Sequence, residues 1–147
     1  QGQHVLSMLK EWLENNNQSL PDAYIISPFK QVKEQLKSLL KKELHGVKNI
    51  NKWVDERIGT VHTFQGKEEK NVILVLGLSE TTQGATKWAS SKPNLLNVAV
   101  TRAQKRIYII GSKNIWSGCQ YFDIADKKLS TVVPHNCTTV TPETVEV

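Results

Sequence analysis

The sequence predicts an α/β domain with a mostly parallel sheet flanked by helices, and three observations lead there. Ala23 to Ser27, Val72 to Leu76 and Arg106 to Gly111 are short apolar runs of the kind found in strands buried on both faces. Between them lie segments whose apolar residues recur at helical spacing, and strands alternating with helices favour a parallel sheet. Polar turns follow the apolar runs, which is where α/β folds place ligand sites.

The elements follow in chain order. Val5, Leu6, Met8, Leu9, Trp12 and Leu13 predict a helix from about His4 to Asn15, broken by Asn16, Asn17 and Pro21. Ala23 to Ser27 is the first strand. Pro28 stops it and suits the first turn of a helix over Phe29 to Leu44, with Val32, Leu36, Leu39 and Leu40 on one face and five lysines covering much of the rest. His45 and Gly46 end that helix, and Val47 to Glu56 reads as a loop or short edge element. Next comes a strand–turn–strand: β-branched alternation over Ile58 to His62, the polar turn Phe64 to Glu68, and the buried run Val72 to Leu76. Gly77 to Pro93 reads as a surface loop that Trp88 pins to the core. Pro93 and Asn94 open a helix through about Gln104, and Arg106 to Gly111 is a further strand. Asn114 to Tyr121 reads as one more short helix. The tail from about Asp126 is expected to be partly a late strand and partly flexible, with the last ten or so residues mobile. The whole of 1–147 reads as a single domain with no internal repeat.

Composition narrows the function only broadly. Hydrophobic content of 39% and charged content of 22% are those of a globular chain, and no apolar run approaches the roughly 20 residues of a membrane span. With no secretory pattern at its start, the expected setting is the cytoplasm, or the nucleus in a eukaryote. The net charge of +5 is compatible with a polyanionic partner. Cys119 and Cys137 lack CxxC spacing, so they read as free thiols, with a disulfide as the alternative; His4, His45, His62 and His135 form no metal pattern. There is no Gly-x-x-x-x-Gly-Lys-Ser/Thr segment, so the chain builds no P-loop of its own.

Three stretches carry more: IISPFKQ at 25–31, TVHTFQGKE at 60–68 and NVAVTRA at 97–103. In order, they resemble motifs IV, V and VI of the second RecA-like domain of superfamily 1 helicases. The branch is that of the ATP-dependent enzymes of RNA surveillance and DNA replication, usually 5′→3′ movers. The resemblance spans about residues 20–112, and motifs I, II and III are absent. One departure is visible. The family often has an arginine just before Leu-Asn-Val-Ala, where this chain has Leu95 and Leu96 ahead of Asn97.

The resemblance implies a RecA-like fold and a role for each matched residue. Arg102 becomes the arginine finger, reaching the γ-phosphate of ATP held by another domain; its planar fork pairs with phosphate oxygens. Gly66 brings its backbone to the γ-phosphate, Glu68 takes the ribose hydroxyl, and Gln65 lies beside both. Thr60 and His62, two apart on a strand and therefore on one face, line the nucleic-acid channel. Ser27 and Pro28 meet the backbone of the track, a mode of contact that reads no sequence. Asn97 fixes its local loop and Thr101 orients Arg102.

The function implied is that of the C-terminal motor domain of an ATP-dependent helicase. Its partners would be single-stranded DNA or RNA and an N-terminal P-loop RecA-like domain of the same protein, with no membrane. ATP and Mg²⁺ serve the full protein, the metal held by the absent domain, and nothing is expected to bind tightly to this piece, which alone should be inactive. The alternative is a stand-alone nucleic-acid-binding or regulatory module on a degenerate motor fold.

Overall fold

In the computed structural model, which describes residues 1–77, 94–112, 116, 122–128, 130–132 and 144–146, neighbouring strand residues point to opposite faces of one sheet. Ile25, Ile73, Val75 and Ile110 pack on one face, and Ile26, Val72, Leu74, Ile107 and Ile109 on the other. Both faces are apolar, so helices must cover both. On the first lie α1 (Gly2–Asn15), α2 (Lys30–Glu43) and α3 (Ile50–Arg57), contributing Leu6, Leu9, Leu36, Leu40, Trp53 and Val54 to its core. On the second lie α4 (Asn94–Arg102), through Leu95 and Ala99, and α5 (Phe122–Lys128), through Phe122.

The strands are β1 (Ala23–Ile26), β2 (Ile58–Gly59), β3 (Glu69–Val75), β4 (Ala103–Ile110), β5 (Ser130–Val132) and β6 (Thr144–Glu146), in the spatial order β2-β1-β3-β4-β6-β5. The first four are mutually parallel; β6 and β5 are added antiparallel at one side. The predicted mostly parallel α/β sheet with flanking helices is therefore the observed one, and part of the tail forms the two late strands.

Several elements differ from the sequence reading. Residues 50–57 are helical, because Ile50, Trp53 and Val54 at i, i+3 and i+4 bury one side while Trp53 Nε1 donates to the Pro21 carbonyl at 3.0 Å. Asn49 before it adopts φ 65°, a left-handed conformation that asparagine tolerates. Lys41 and Lys37 both reach Asp55, at 2.8 and 3.7 Å, and tie α2 to α3. Helix α2 ends without a left-handed glycine: Leu44 donates its N–H to the Leu40 carbonyl, and Gly46 lies outside the positive-φ region. Helix α4 stops at Arg102, and β4 begins at once with Ala103.

The largest difference concerns the segment between β2 and β3. These strands are parallel and are separated by β1, so the polar stretch 60–68 is no tight turn. It leaves the C-terminal end of β2, passes over the second face and enters β3 at its N-terminal end. Gly59 is level with Ile26 and Leu74, five positions beyond Glu69, so at ~3.3 Å per residue its ends lie about 16 Å apart along the strands. The loop predicted over Gly77 to Pro93 with Trp88, the helix over Asn114 to Tyr121 apart from Trp116, and both cysteines lie outside the described residues.

Candidate nucleotide and nucleic-acid interface

At the C-terminal edge of the sheet, β1 and β2 run out side by side. The Ser27 N–H donates to the Gly59 carbonyl at 3.0 Å, which sets Thr60 beside Ser27 and Pro28. Ser27 is 1% exposed, and its Oγ accepts the N–H of Phe29 at 3.3 Å. That bond closes the strand-to-helix turn, so the hydroxyl expected to face a phosphate is turned inward. Pro28 is half-buried beside it.

Strand β2 stops at Gly59 because the next donors are used locally. Thr60 N–H donates to Thr63 Oγ1 at 3.1 Å, Thr63 N–H donates to the Thr60 carbonyl at 3.0 Å, and the two hydroxyls lie 3.4 Å apart. This knot sits directly on Gly59, where an added Cβ would lie 2.6 Å from Thr63 Cβ. Thr60 and His62 are therefore not two residues on one strand face. Thr60 is half-buried at the strand end and His62 is exposed in the following turn.

Phe64 anchors the middle of the crossing. It is fully buried, and its ring stacks on Tyr24 of β1 with centroids 4.2 Å apart and planes inclined by 18°. Burying a phenylalanine is worth about 1.5–3 kcal/mol, and the stack adds about 0.5–1.5 kcal/mol. The chain then reverses over Phe64–Lys67, with Lys67 N–H bonded to the Phe64 carbonyl at 3.0 Å and Gly66 at φ 77° in the third position. A turn of that shape requires a positive φ there, which glycine adopts without strain. No atom of the described residues lies within 4 Å of the place a Gly66 side chain would take, so among them the backbone there is open to approach. Gln65, Lys67 and Glu68 are exposed around it.

The segment ends at the N-terminal edge of β3, where Glu69 is register partner of Ala103. Glu68 and Arg102 immediately precede that pair, so the fold brings two of the predicted residues to adjacent strand ends. Gln104 Nε2 donates to Glu68 Oε2 at 3.4 Å. Arg102 is half-buried in the last turn of α4, and its Nε is enclosed with no hydrogen-bond partner among the described residues. A buried guanidinium N–H left without an acceptor is uncommon and marks a place where an acceptor is wanted. Thr101 does not hold Arg102: its hydroxyl donates to the carbonyls of Asn97 and Val98 at 2.7 and 3.2 Å, within its own helix. Asn97 is exposed on α4 rather than part of a loop, and Leu95, near the position where the family often has arginine, is buried.

Four residues that the sequence reading did not single out complete the frame. Arg57 and Glu69 form a partly buried ion pair, Arg57 lies over the Tyr24 ring at 5.3 Å, and Gln104 reaches Glu68. The signal available was the helical spacing of Ile50, Trp53 and Val54, which would have carried Arg57 to a helix end beside β2. Among the described residues no group of three or more His, Cys, Asp or Glu side chains is placed to hold a metal ion.

A family described as an AAA domain matches residues 2–114, a span that contains all three motif stretches. The chain belongs to that family. This AAA domain is also 28% identical over 117 residues to the DNA polymerase alpha-associated DNA helicase A of Saccharomyces cerevisiae, a match covering 78% of this chain and 16% of that protein. It thus spans a small part of its relative's length. Together these matches establish the AAA domain as a C-terminal, superfamily 1 helicase domain with the α/β RecA-like fold read from its motifs. No described helix is long and apolar enough to cross a membrane.

Proposed function

We propose that this domain completes, from the side opposite the P-loop, an ATP site whose other half lies on a second RecA-like domain, and that it grips single-stranded nucleic acid during translocation. The observation that carries the reading is Arg102: a guanidinium whose enclosed Nε has no partner among the described residues, at a strand edge beside Glu68. Arg102 would stabilise charge on the transferring phosphoryl group, where a planar cation is worth most. Gly66 would offer open backbone to the γ-phosphate, Gln65 would lie beside it, and Glu68 would accept from the ribose. Thr60, His62 and Pro28 would meet the strand at the opposite edge, with Ser27 fixing the turn that presents Pro28. All these contacts are to backbone, so DNA and RNA would both fit the chemistry. Mg²⁺ would neutralise phosphate charge from ligands on the P-loop domain. The setting proposed is the cytoplasm, or the nucleus of a eukaryotic cell.

The test is turnover. In the helicase that joins this domain to its P-loop domain, Arg102→Ala should reduce ATP hydrolysis by about 10³-fold or more. The domain alone should not hydrolyse ATP. Near-normal turnover by Arg102→Ala would remove the finger assignment. Salt-dependent strand binding by the domain, indifferent to any P-loop partner, would favour a stand-alone binding module instead.

A further inference from the structure

Segment 60–68 joins the two proposed half-sites, and one side chain outside it links the residue that follows its end to the ring on which its middle is anchored. Arg57 is the last residue of α3, three positions before Thr60. Its guanidinium crosses β1 to form an ion pair with Glu69, the residue that follows Glu68. On the way it lies over the ring of Tyr24, 5.3 Å from the centroid, and Tyr24 stacks on Phe64, the buried anchor of the crossing. The second Glu69 oxygen accepts the Lys70 N–H at 2.8 Å, so the carboxylate is fixed from both sides. The pair closes residues 57–69 into a ring with Phe64 pinned inside it.

We propose that Arg57 is a positioning residue that makes this crossing a rigid lever, so that strand contact at Thr60 and His62 is transmitted to Gln65, Gly66 and Glu68. A ring closed at its ends and anchored at its middle moves as one piece, whereas an open one absorbs displacement within itself. Arginine is required because the same group must pair with a carboxylate and place its charge over an aromatic face, which lysine does less well. The inference rests on the proposed ATP-site reading above, and it assigns Arg57 to the coupling of the two sites rather than to either one.

The experiment compares ATP turnover with and without saturating single strand in the helicase joined to its P-loop domain. Arg57→Met keeps the length and apolar body of the side chain but removes the pair and the cation. The ratio of stimulated to unstimulated turnover should fall by about 10- to 100-fold, with Arg57→Lys intermediate. A residue that only stabilises the fold would lower both turnovers together and leave the ratio intact; an unchanged ratio overturns the proposal. If Arg57→Met does not fold, Glu69→Gln removes the pair from the other side, and its ratio decides in the same way. Arg102→Ala run alongside separates the two claims: near-normal turnover there overturns the ATP-site reading, whereas lost turnover with an unchanged Arg57 ratio overturns the coupling role alone.

Discussion

Phe64 lies against Tyr24 with ring centroids 4.2 Å apart, and it is the one fully buried side chain of a crossing whose exposed residues face outward. Truncating it removes the attachment and leaves a void that the rigid sheet beneath cannot fill. Phe64→Ala should cost about 3–5 kcal/mol, and Phe64→Leu markedly less. Urea denaturation of the domain measures both; equal and small losses would show that the crossing is not anchored there.

Two glycines of this region should respond for different reasons. At Gly59 an added Cβ meets Thr63 at 2.6 Å, backbone-close on a short strand, so Gly59→Ala should open the Thr60–Thr63 knot at about 1–3 kcal/mol. At Gly66 there is room, but φ is 77°, so Gly66→Ala should cost about 1–2 kcal/mol of strain while Gly66→Asn costs less. Denaturation midpoints for the three variants check this. A greater loss of stability for Gly66→Asn than for Gly66→Ala would mean that space, not conformation, governs the site.

How far the sequence could be read depends on which physical signal each element left. Strands β1, β3 and β4 were legible because residues buried on both faces leave an unbroken apolar run, and α1 and α2 because their buried residues recur at helical spacing. Helix α3 was obscured by the polar residues Lys48, Asn49, Asn51 and Lys52 around a short buried stripe. The end of β2 was invisible because it is set by Thr63, whose hydroxyl takes a donor that alternation alone assigns to the ladder. Among the site residues, the adjacency of Glu68 and Arg102 follows from a register that only the folded sheet defines. The Arg57–Glu69 pair joins the end of α3 to the start of β3 with β1 between them, and nothing in either local pattern announces it.

His4 provides a pH dependence with a definite sign. It is 4% exposed on α1, and burial holds its pKa below the ordinary histidine value. Above about pH 6.5 the ring is neutral folded and unfolded alike. As pH falls below that value, the unfolded chain takes up a proton that the folded one resists, so stability is lost with decreasing pH, at up to about 1.4 kcal/mol per unit. Denaturation midpoints should therefore drop between about pH 7 and pH 5, and His4→Leu should flatten that slope. A slope unchanged by the substitution would assign the dependence to other groups.

The strand site proposed at the C-terminal edge predicts binding that is insensitive to base sequence and weakens as salt rises, because all of its contacts would be to backbone. Thr60→Val removes the hydroxyl but keeps the N–H that Thr63 accepts, so the local turn survives. Its affinity for single strands should fall by about 1 kcal/mol, equally for pyrimidine-rich and mixed sequences. Fluorescence anisotropy on the helicase at two salt concentrations measures this, and a loss confined to one sequence would indicate base reading instead.

At the N-terminal edge, the partner of Glu68 among the described residues is Gln104, whose Nε2 donates to its Oε2 at 3.4 Å. A carboxylate kept in place by a neutral amide can still accept a hydrogen bond from a hydroxyl, as the proposed ribose contact requires. Glu68→Ala should then raise KM for ATP by about 5- to 30-fold, the worth of a hydrogen bond to a charged group, and raise KM for the 2′-deoxy nucleotide less, so that discrimination between the two collapses. Gln104→Leu leaves the carboxylate in place but free to swing, so it should shift discrimination in the same direction by a smaller factor. Steady-state kinetics with both nucleotides provides the readout. A Glu68→Ala enzyme that still prefers the ribonucleotide by the original factor would remove the ribose role from this carboxylate, whatever its effect on overall turnover.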